Sequence, residues 1–119
     1  SCSTQHGDAV VRDCQTWIEQ NYKCSNPVSE MAEQSGLNSR TFARRFRSAT
    51  GYQPIEYVQG IRIEAAKQML ESNATNVEEI SSSVGYDDPA SFRRVFKRKV
   101  GLTPARYRKK FSHSSMQYR

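Results

Sequence analysis

"MAEQSGLNSRTFARRFRSATGYQPIEYV" (residues 31–58) can be laid over "ISSSVGYDDPASFRRVFKRKVGLTPARYR" (residues 80–108), with one extra residue in the second stretch. Gly36 meets Gly85 at an offset of 49; beyond the extra residue, Phe42 meets Phe92, Phe46 meets Phe96, Gly51 meets Gly101, Pro54 meets Pro104 and Tyr57 meets Tyr107 at an offset of 50. Chance hardly supplies that many matches in order. Each copy reads as helix, tight turn, helix. Gly36 and Gly85 stand where the chain reverses after a short helix, a place for positive φ. Asn38 and Asp88 then cap the second helix of each copy, with Ser39 and Pro89 in the first helical position. Gly51 and Gly101 end those helices, and Pro54 and Pro104 open the next. The first copy begins after Asn26-Pro27. The second begins at Asn76, where Glu79 three residues on completes a capping box. Helix, Gly-containing turn, second helix is the helix-turn-helix pattern. Seen once it is weak, because helical hairpins are common. Duplicated, with cations facing outward each time, it becomes specific.

On a wheel advancing 100° per residue, Phe42, Phe46 and Ala49 fall on one stripe, the side expected to pack inward. Arg40, Arg44 and Arg47 fall opposite, and Arg45 sits on the flank. The corresponding outward positions of the second copy are Ala90, Arg94 and Lys97. The net charge of +6 and pI near 9.5 point only weakly to an anionic partner, but the placement of charge says more. Residues 1–38 balance at −3 and residues 51–91 at −5, whereas residues 39–50 hold four arginines and no acid. Residues 92–111 hold Arg93, Arg94, Lys97, Arg98, Lys99, Arg106, Arg108, Lys109 and Lys110, again with no acid. Solvated surface helices normally mix signs, since opposite charges at i, i+4 support the helix. Two acid-free blocks on an otherwise acidic chain have the form of a polyanion footprint.

Two further helices complete the organisation. "GDAVVRDCQTWIEQNY" sets Val10, Val11, Cys14, Trp17, Ile18 and Tyr22 on one face, a packing helix for the first copy in which Cys14 acts as a small buried hydrophobe. "IEYVQGIRIEAAKQMLES" (55–72) has no breaker but Gly60 and aligns Val58, Ile61, Ala65, Ala66 and Met69. It reads as a rigid spacer of roughly 25 Å. The expected organisation is a first helix-turn-helix subdomain at 8–54, a linker helix at 55–72, a second subdomain at 73–111, and flexible ends at 1–7 and 112–119.

With these features the chain resembles the AraC/XylS family of bacterial transcription regulators over about residues 8–111. The marks are "SGLNSRTFARRFRSATGYQP", "IRIEAAKQML" and "ISSSVGYDDPASFRRVFKRKVGLTPARYRKKF". "SRTFARRF" and "DPASFRRVF" look most like a subgroup whose amino-terminal domain resembles class I glutamine amidotransferases, a domain not contained in these 119 residues. The resemblance implies an all-α unit of about seven helices, two helix-turn-helix subdomains bridged by the long helix, with each recognition helix in a major groove of double-stranded DNA. Carried over position by position, base contacts fall to Arg40, Ala43 and Arg44 in the first copy and to Pro89, Ala90, Arg93 and Arg94 in the second. Arg47 and Lys97 complete the two DNA-facing stripes. Pro89 and Ala90 have no side-chain hydrogen bond to offer.

The chemistry of the residues agrees. Arginine bonds guanine O6 and N7 bidentately, and its charge also serves phosphates. Arg45, Arg98, Lys99, Lys109 and Lys110 are expected on phosphates, with Lys99 on the inward side of the wheel and snorkelling out. Phe42 and Phe92 recur with Phe46 and Phe96 at core spacing rather than as stacking platforms, which favours duplex DNA over RNA.

Other classes fare worse. No G-x-S-x-G, P-loop or H-E-x-x-H occurs, and His6 and His113 lie near opposite ends, so no enzyme is expected. Asp87-Asp88 is explained by a helix cap. Cys2, Cys14 and Cys24 are odd in number and contain no C-x-x-C pair, which speaks against a disulfide framework or a structural metal, and no cofactor is expected. With a mean hydropathy of −0.79, no membrane-length apolar run and no signal-peptide pattern, a cytoplasmic protein without a membrane partner is expected. The chain starts on Ser rather than Met, as a fragment or processed chain would, and a fragment of this kind is expected to be monomeric. The alternative is a helical adaptor for another protein, which calls for an exposed apolar stripe where this chain has arginine. A variant of it gives one face of the same unit to RNA polymerase.

Overall fold

The computed structural model describes residues 8–112. Among them the chain is all α-helical: α1 (Ala9–Asn21), α2 (Pro27–Ser35), α3 (Ser39–Thr50), α4 (Pro54–Ser72), α5 (Val77–Ser83), α6 (Pro89–Val100) and α7 (Pro104–Phe111). The helix-turn-helix pairs are α2–α3 and α5–α6. The chain divides into two compact units between Gln59 and Gly60, inside α4. The expected flexible ends, 1–7 and 112–119, lie outside the described residues except for Ser112, whose N–H closes α7 on the Arg108 carbonyl at 2.8 Å.

In the first unit, Asp8 caps α1 by accepting from the Val10 and Val11 N–H groups at 3.1 and 3.4 Å. Helix α1 buries Val11, Cys14 and Ile18; Val10, Trp17 and Tyr22, expected on the same face, are only half-buried. Helix α2 opens on Pro27 and stops at Gly36, whose φ of 75° lets its N–H turn back to Glu33. Asn38 caps α3 through the Thr41 N–H at 2.9 Å. Phe42 and Phe46 are fully buried together with Met31, Val58 and the α1 residues. Each such side chain contributes about 1.5–3 kcal/mol by leaving water.

The second unit repeats this interior. Asn76 caps α5 through the Glu79 N–H at 2.8 Å, and Asp88 caps α6 through Ala90. Phe92 and Phe96 are fully buried beside Ile80, Val84, Ala66 and Leu70. The ring geometry is duplicated closely. Phe42–Phe46 centroids lie 5.7 Å apart at 50° and Phe92–Phe96 lie 5.8 Å apart at 53°. Tyr57 meets Phe46 edge-on at 5.2 Å, as Tyr107 meets Phe96 at 5.6 Å.

Helix α4 is more than a spacer. Its start, with Pro54, Val58 and the Tyr57 ring, packs in the first unit as Pro104 and Tyr107 of α7 do in the second. Its remainder buries Ile63, Ala66 and Leu70 at the same i, i+3, i+7 spacing as Val11, Cys14 and Ile18 in α1. Ile61, Ala65 and Met69, expected on the packing face, are half-exposed instead. The buried stripe is rotated towards Ile63 and Leu70, and it takes in Arg62, which is buried and stacks on the Tyr86 ring at 5.0 Å. Its guanidinium lies where a side chain on Gly85 would have to go, 2.9 Å from an added Cβ. With a φ of 109° as well, Gly85 admits no other residue without strain.

A second correction concerns the inward stripe. Ala49 and its counterpart Lys99 are both exposed, so Lys99 reaches water directly and has no need to snorkel. The wheel records angle but not height along the axis, and in the last turn of α3 and α6 no core lies opposite.

Candidate nucleic-acid interface

Helices α3 and α6 each turn two phenylalanines inward and so present the opposite side to solvent. On α3, Arg40, Arg44 and Arg47 are exposed and Ala43 is half-exposed among them. Ala43, Arg44 and Arg47, with Ser48 and Gln53, line a shallow recess. None of the three arginines has a hydrogen-bond or ion-pair partner among the described residues. On α6, Ala90, Arg93, Arg94, Lys97, Arg98 and Lys99 are exposed and Pro89 is half-exposed. Lys109 and Lys110 are exposed on α7, where they line a second shallow recess with Leu102 and Arg106. The geometry thus gathers nearly every cation singled out in the sequence onto two sets of exposed helix faces.

Arg45, expected on phosphate, is held by an acid of its own unit. Its Nε and Nη2 donate to the Asp8 carboxylate at 2.7 Å each. This two-point fork ties α3 to the capped start of α1. The Arg45 hydrogen bonds hold the Asp8 carboxyl below its ordinary range, against the opposing effect of burial, with help from the Val11 and Val10 N–H groups. At the equivalent place α6 carries Val95, which is buried. The flank position thus packs inward in the second copy and makes an ion pair in the first.

The second copy holds its outward arginines differently. Arg93 donates through Nη2 to Glu78 of α5 at 2.5 Å, and this hydrogen bond lowers the Glu78 pKa. Arg94 donates to Ser91 Oγ at 3.2 Å, and the Ser91 hydroxyl donates to the capping Asp88 at 3.0 Å. Asp88 is lowered by that Ser91 bond first, then by the Ala90 N–H, with the Arg94 charge also contributing. Glu78, Ser48 and Gln53 were not singled out from the sequence, and Arg106 was named only as part of the acid-free block 92–111. For Gln53 a signal existed, its place between Gly51 and Pro54 in the repeat. Arg108 takes a different part: its guanidinium donates to the Leu70 and Asn73 carbonyls at 3.2 and 3.0 Å, closing the C-terminus of α4.

Among the described residues no three His, Cys, Asp or Glu side chains are grouped to hold a metal ion. Cys14 is buried with its thiol directed at the Met31 carbonyl, and burial raises its pKa. No described helix is long and apolar enough to cross a membrane.

Two helix-turn-helix pairs on one chain, each with a cation-bearing second helix, define the class, and comparison with known proteins places the chain within it. A helix-turn-helix domain family matches residues 31–110, and the chain belongs to this family, of the AraC type. It is 37% identical over 103 residues to a putative AraC-like transcription regulator of Streptomyces lividans, covering 86% of this chain and 34% of that protein. The chain therefore spans about a third of that relative's length. Among solved structures, the DNA-binding domain of the global transcriptional factor AdpA, in complex with a target DNA, matches with a TM-score of 0.80 at 30% identity, over 85% of this chain and 91% of that one. The C-terminal domain of AraT, a response regulator from Geobacillus stearothermophilus, matches with a TM-score of 0.84 at 26% identity, over 88% of each chain.

Proposed function

We infer that this chain is the DNA-binding part of a transcription regulator and reads duplex DNA with α3 and α6. The observation that carries the reading is the duplicated helix with buried phenylalanines on one side and exposed, acid-free cations on the other. Arg40, Ala43, Arg44 and Arg47 face one major-groove subsite; Pro89, Ala90, Arg93, Arg94 and Lys97 face the next. Arg98, Lys99, Lys109 and Lys110 serve phosphates, while Arg45 holds α3 in place. The subsites differ, because the outward residues of the two copies differ. Successive major grooves on one side of B-DNA recur about every 10 bp, and α4 runs as one uninterrupted helix from the first copy towards the second. No catalytic step belongs to this unit, and its setting is the cytoplasm, where the regulated DNA and RNA polymerase are found. The adaptor reading has little to stand on, since among the described residues the exposed large apolar side chains are few: Tyr52, Ile55 and Phe111.

Selection from a random duplex library, followed by salt titration of the selected site, tests this. The expected result is two unlike subsites about 10 bp apart and a log–log salt slope of about −5 to −7, from roughly 6–8 neutralised phosphates. A slope flatter than about −2 removes the DNA reading. A single subsite removes one of the two reading helices.

A further inference from the structure

The Glu78–Arg93 pair stands apart from the other ion pairs. It joins α5 to the outward face of α6, the face otherwise made of cations. Both side chains remain in open water, Arg93 at 46% and Glu78 at 59% exposure, so the pair adds little to stability. The repeat shows that the two residues come and go together. The counterpart of Arg93 in the first copy is Ala43, and the counterpart of Glu78 is Ser29. Where the acid is missing, so is the arginine. Among the described residues, the outward arginines of α3, Arg40, Arg44 and Arg47, form no ion pair.

We propose that Glu78 is a specificity-determining residue, which keeps Arg93 for a neutral base edge and away from the phosphate backbone. The inference rests on the duplex-DNA reading above. A guanidinium has five N–H donors; the pair occupies one nitrogen, Nη2, and leaves the rest of the fork free. A guanine edge is uncharged and accepts two of these hydrogen bonds while the pair stays intact. A phosphate drawn to the same guanidinium meets the Glu78 carboxylate, a like charge in hydrogen-bond contact with the same group. Glu78 therefore weakens binding to any backbone while leaving the base contact in place. It acts as an element against the wrong partner, as discrimination requires. Glu78 carries its charge at neutral pH, as any exposed glutamate does.

The test compares the selected duplex with a random-sequence duplex for the wild type, Glu78→Gln, Arg93→Ala and the double variant, across a salt series. Asp87→Asn, which removes the same charge from an exposed position nearby, controls for net charge, and thermal melting checks that each variant is folded. For Glu78→Gln the slope on random duplex should steepen by about 1, as one phosphate contact is gained, and the ratio of selected to random affinity should fall roughly threefold or more. Asp87→Asn should leave that ratio unchanged. In the Arg93→Ala background Glu78→Gln should do nothing further to ratio or slope, because its effect passes through Arg93. The proposal is overturned if Glu78→Gln alters the ratio no more than Asp87→Asn, or acts equally with Arg93 absent. A wild type that shows no salt-sensitive duplex binding overturns the DNA reading itself.

Discussion

Tyr57 and Tyr107 occupy the same place in the two ring clusters, yet their hydroxyls are held by different means. Tyr57 accepts a hydrogen bond from Gln15 of α1 at 3.1 Å. Tyr107 donates to the Glu71 carboxylate of α4, and burial followed by that bond raises its pKa well above the usual phenol range. The same contrast runs through both units: the interiors coincide to a few tenths of an ångström between ring centroids, and the ties around them do not. Unit one closes on α1 through Asp8–Arg45 and Gln15–Tyr57. Unit two closes on α4 through Arg62–Tyr86, Glu71–Tyr107 and Arg108 on the α4 carbonyls. Close packing leaves few alternatives inside, whereas a polar tie can be made by any element that passes within reach. Duplicated units therefore diverge first in their ties and in their outward faces.

The largest expected effects probe the shared interior. Phe46→Ala and Phe96→Ala should each destabilise the protein by about 3–5 kcal/mol, and by similar amounts, since both rings are fully buried in matching clusters. Chemical denaturation followed by circular dichroism measures both. A loss confined to one variant would show that the two cores are not energetically equivalent.

Next come the outward faces, where the copies should act independently. Arg44→Ala and Arg94→Ala should each cost about 1–3 kcal/mol of binding to the selected duplex. Each should relax base preference at its own subsite only. Arg94 is steadied through Ser91 and Asp88, and Arg44 is not, so Ser91→Ala should blur the second subsite alone. Repeated site selection with each variant reads this directly. If Arg44→Ala left the selected motif unchanged, α3 would be a phosphate clamp and α6 the only reader.

The smallest effect belongs to the tie that only the first unit has. Asp8→Ala should cost about 1 kcal/mol through the lost α1 cap, whereas Asp8→Asn keeps the cap and removes the charge that pairs with Arg45. The folded Asp8 pKa lies below its unfolded value. The stabilisation is therefore fully present above the ordinary carboxylate pKa of about 4 and is lost as pH falls through the lowered folded value. Stability measured against pH should show a shallower acid decline in Asp8→Asn than in the wild type. Identical acid limbs would show that the fork adds nothing to the cap.

The helix ends were legible because their causes are local. Asn38, Asn76 and Asp88 cap the helices they precede, and Gly36, Gly51 and Gly101 take the positive φ that terminates them. The outward stripe was legible for a related reason: a buried Phe every fourth residue leaves one direction for Arg40, Arg44 and Arg47. The wheel misled at Ala49 and Lys99, where direction was right and nothing lay opposite. It also misled along α4, where the buried stripe runs through Arg62, Ile63, Ala66 and Leu70 rather than through Ile61, Ala65 and Met69.

The sequence by itself determined the repeat, the helix boundaries and the two acid-free faces, since caps, glycine conformations and helical periodicity act within a few residues along the chain. Only the tertiary structure decided which cations stay on those faces. Arg45 meets Asp8 across 37 residues, Arg93 meets Glu78 across 15, and Arg108 closes a helix whose Leu70 carbonyl lies 38 residues earlier. Arginine is long, always charged and able to bond in several directions at once. Its role is therefore set by the acceptor that folding brings within its reach, and residue type and spacing carry no record of that.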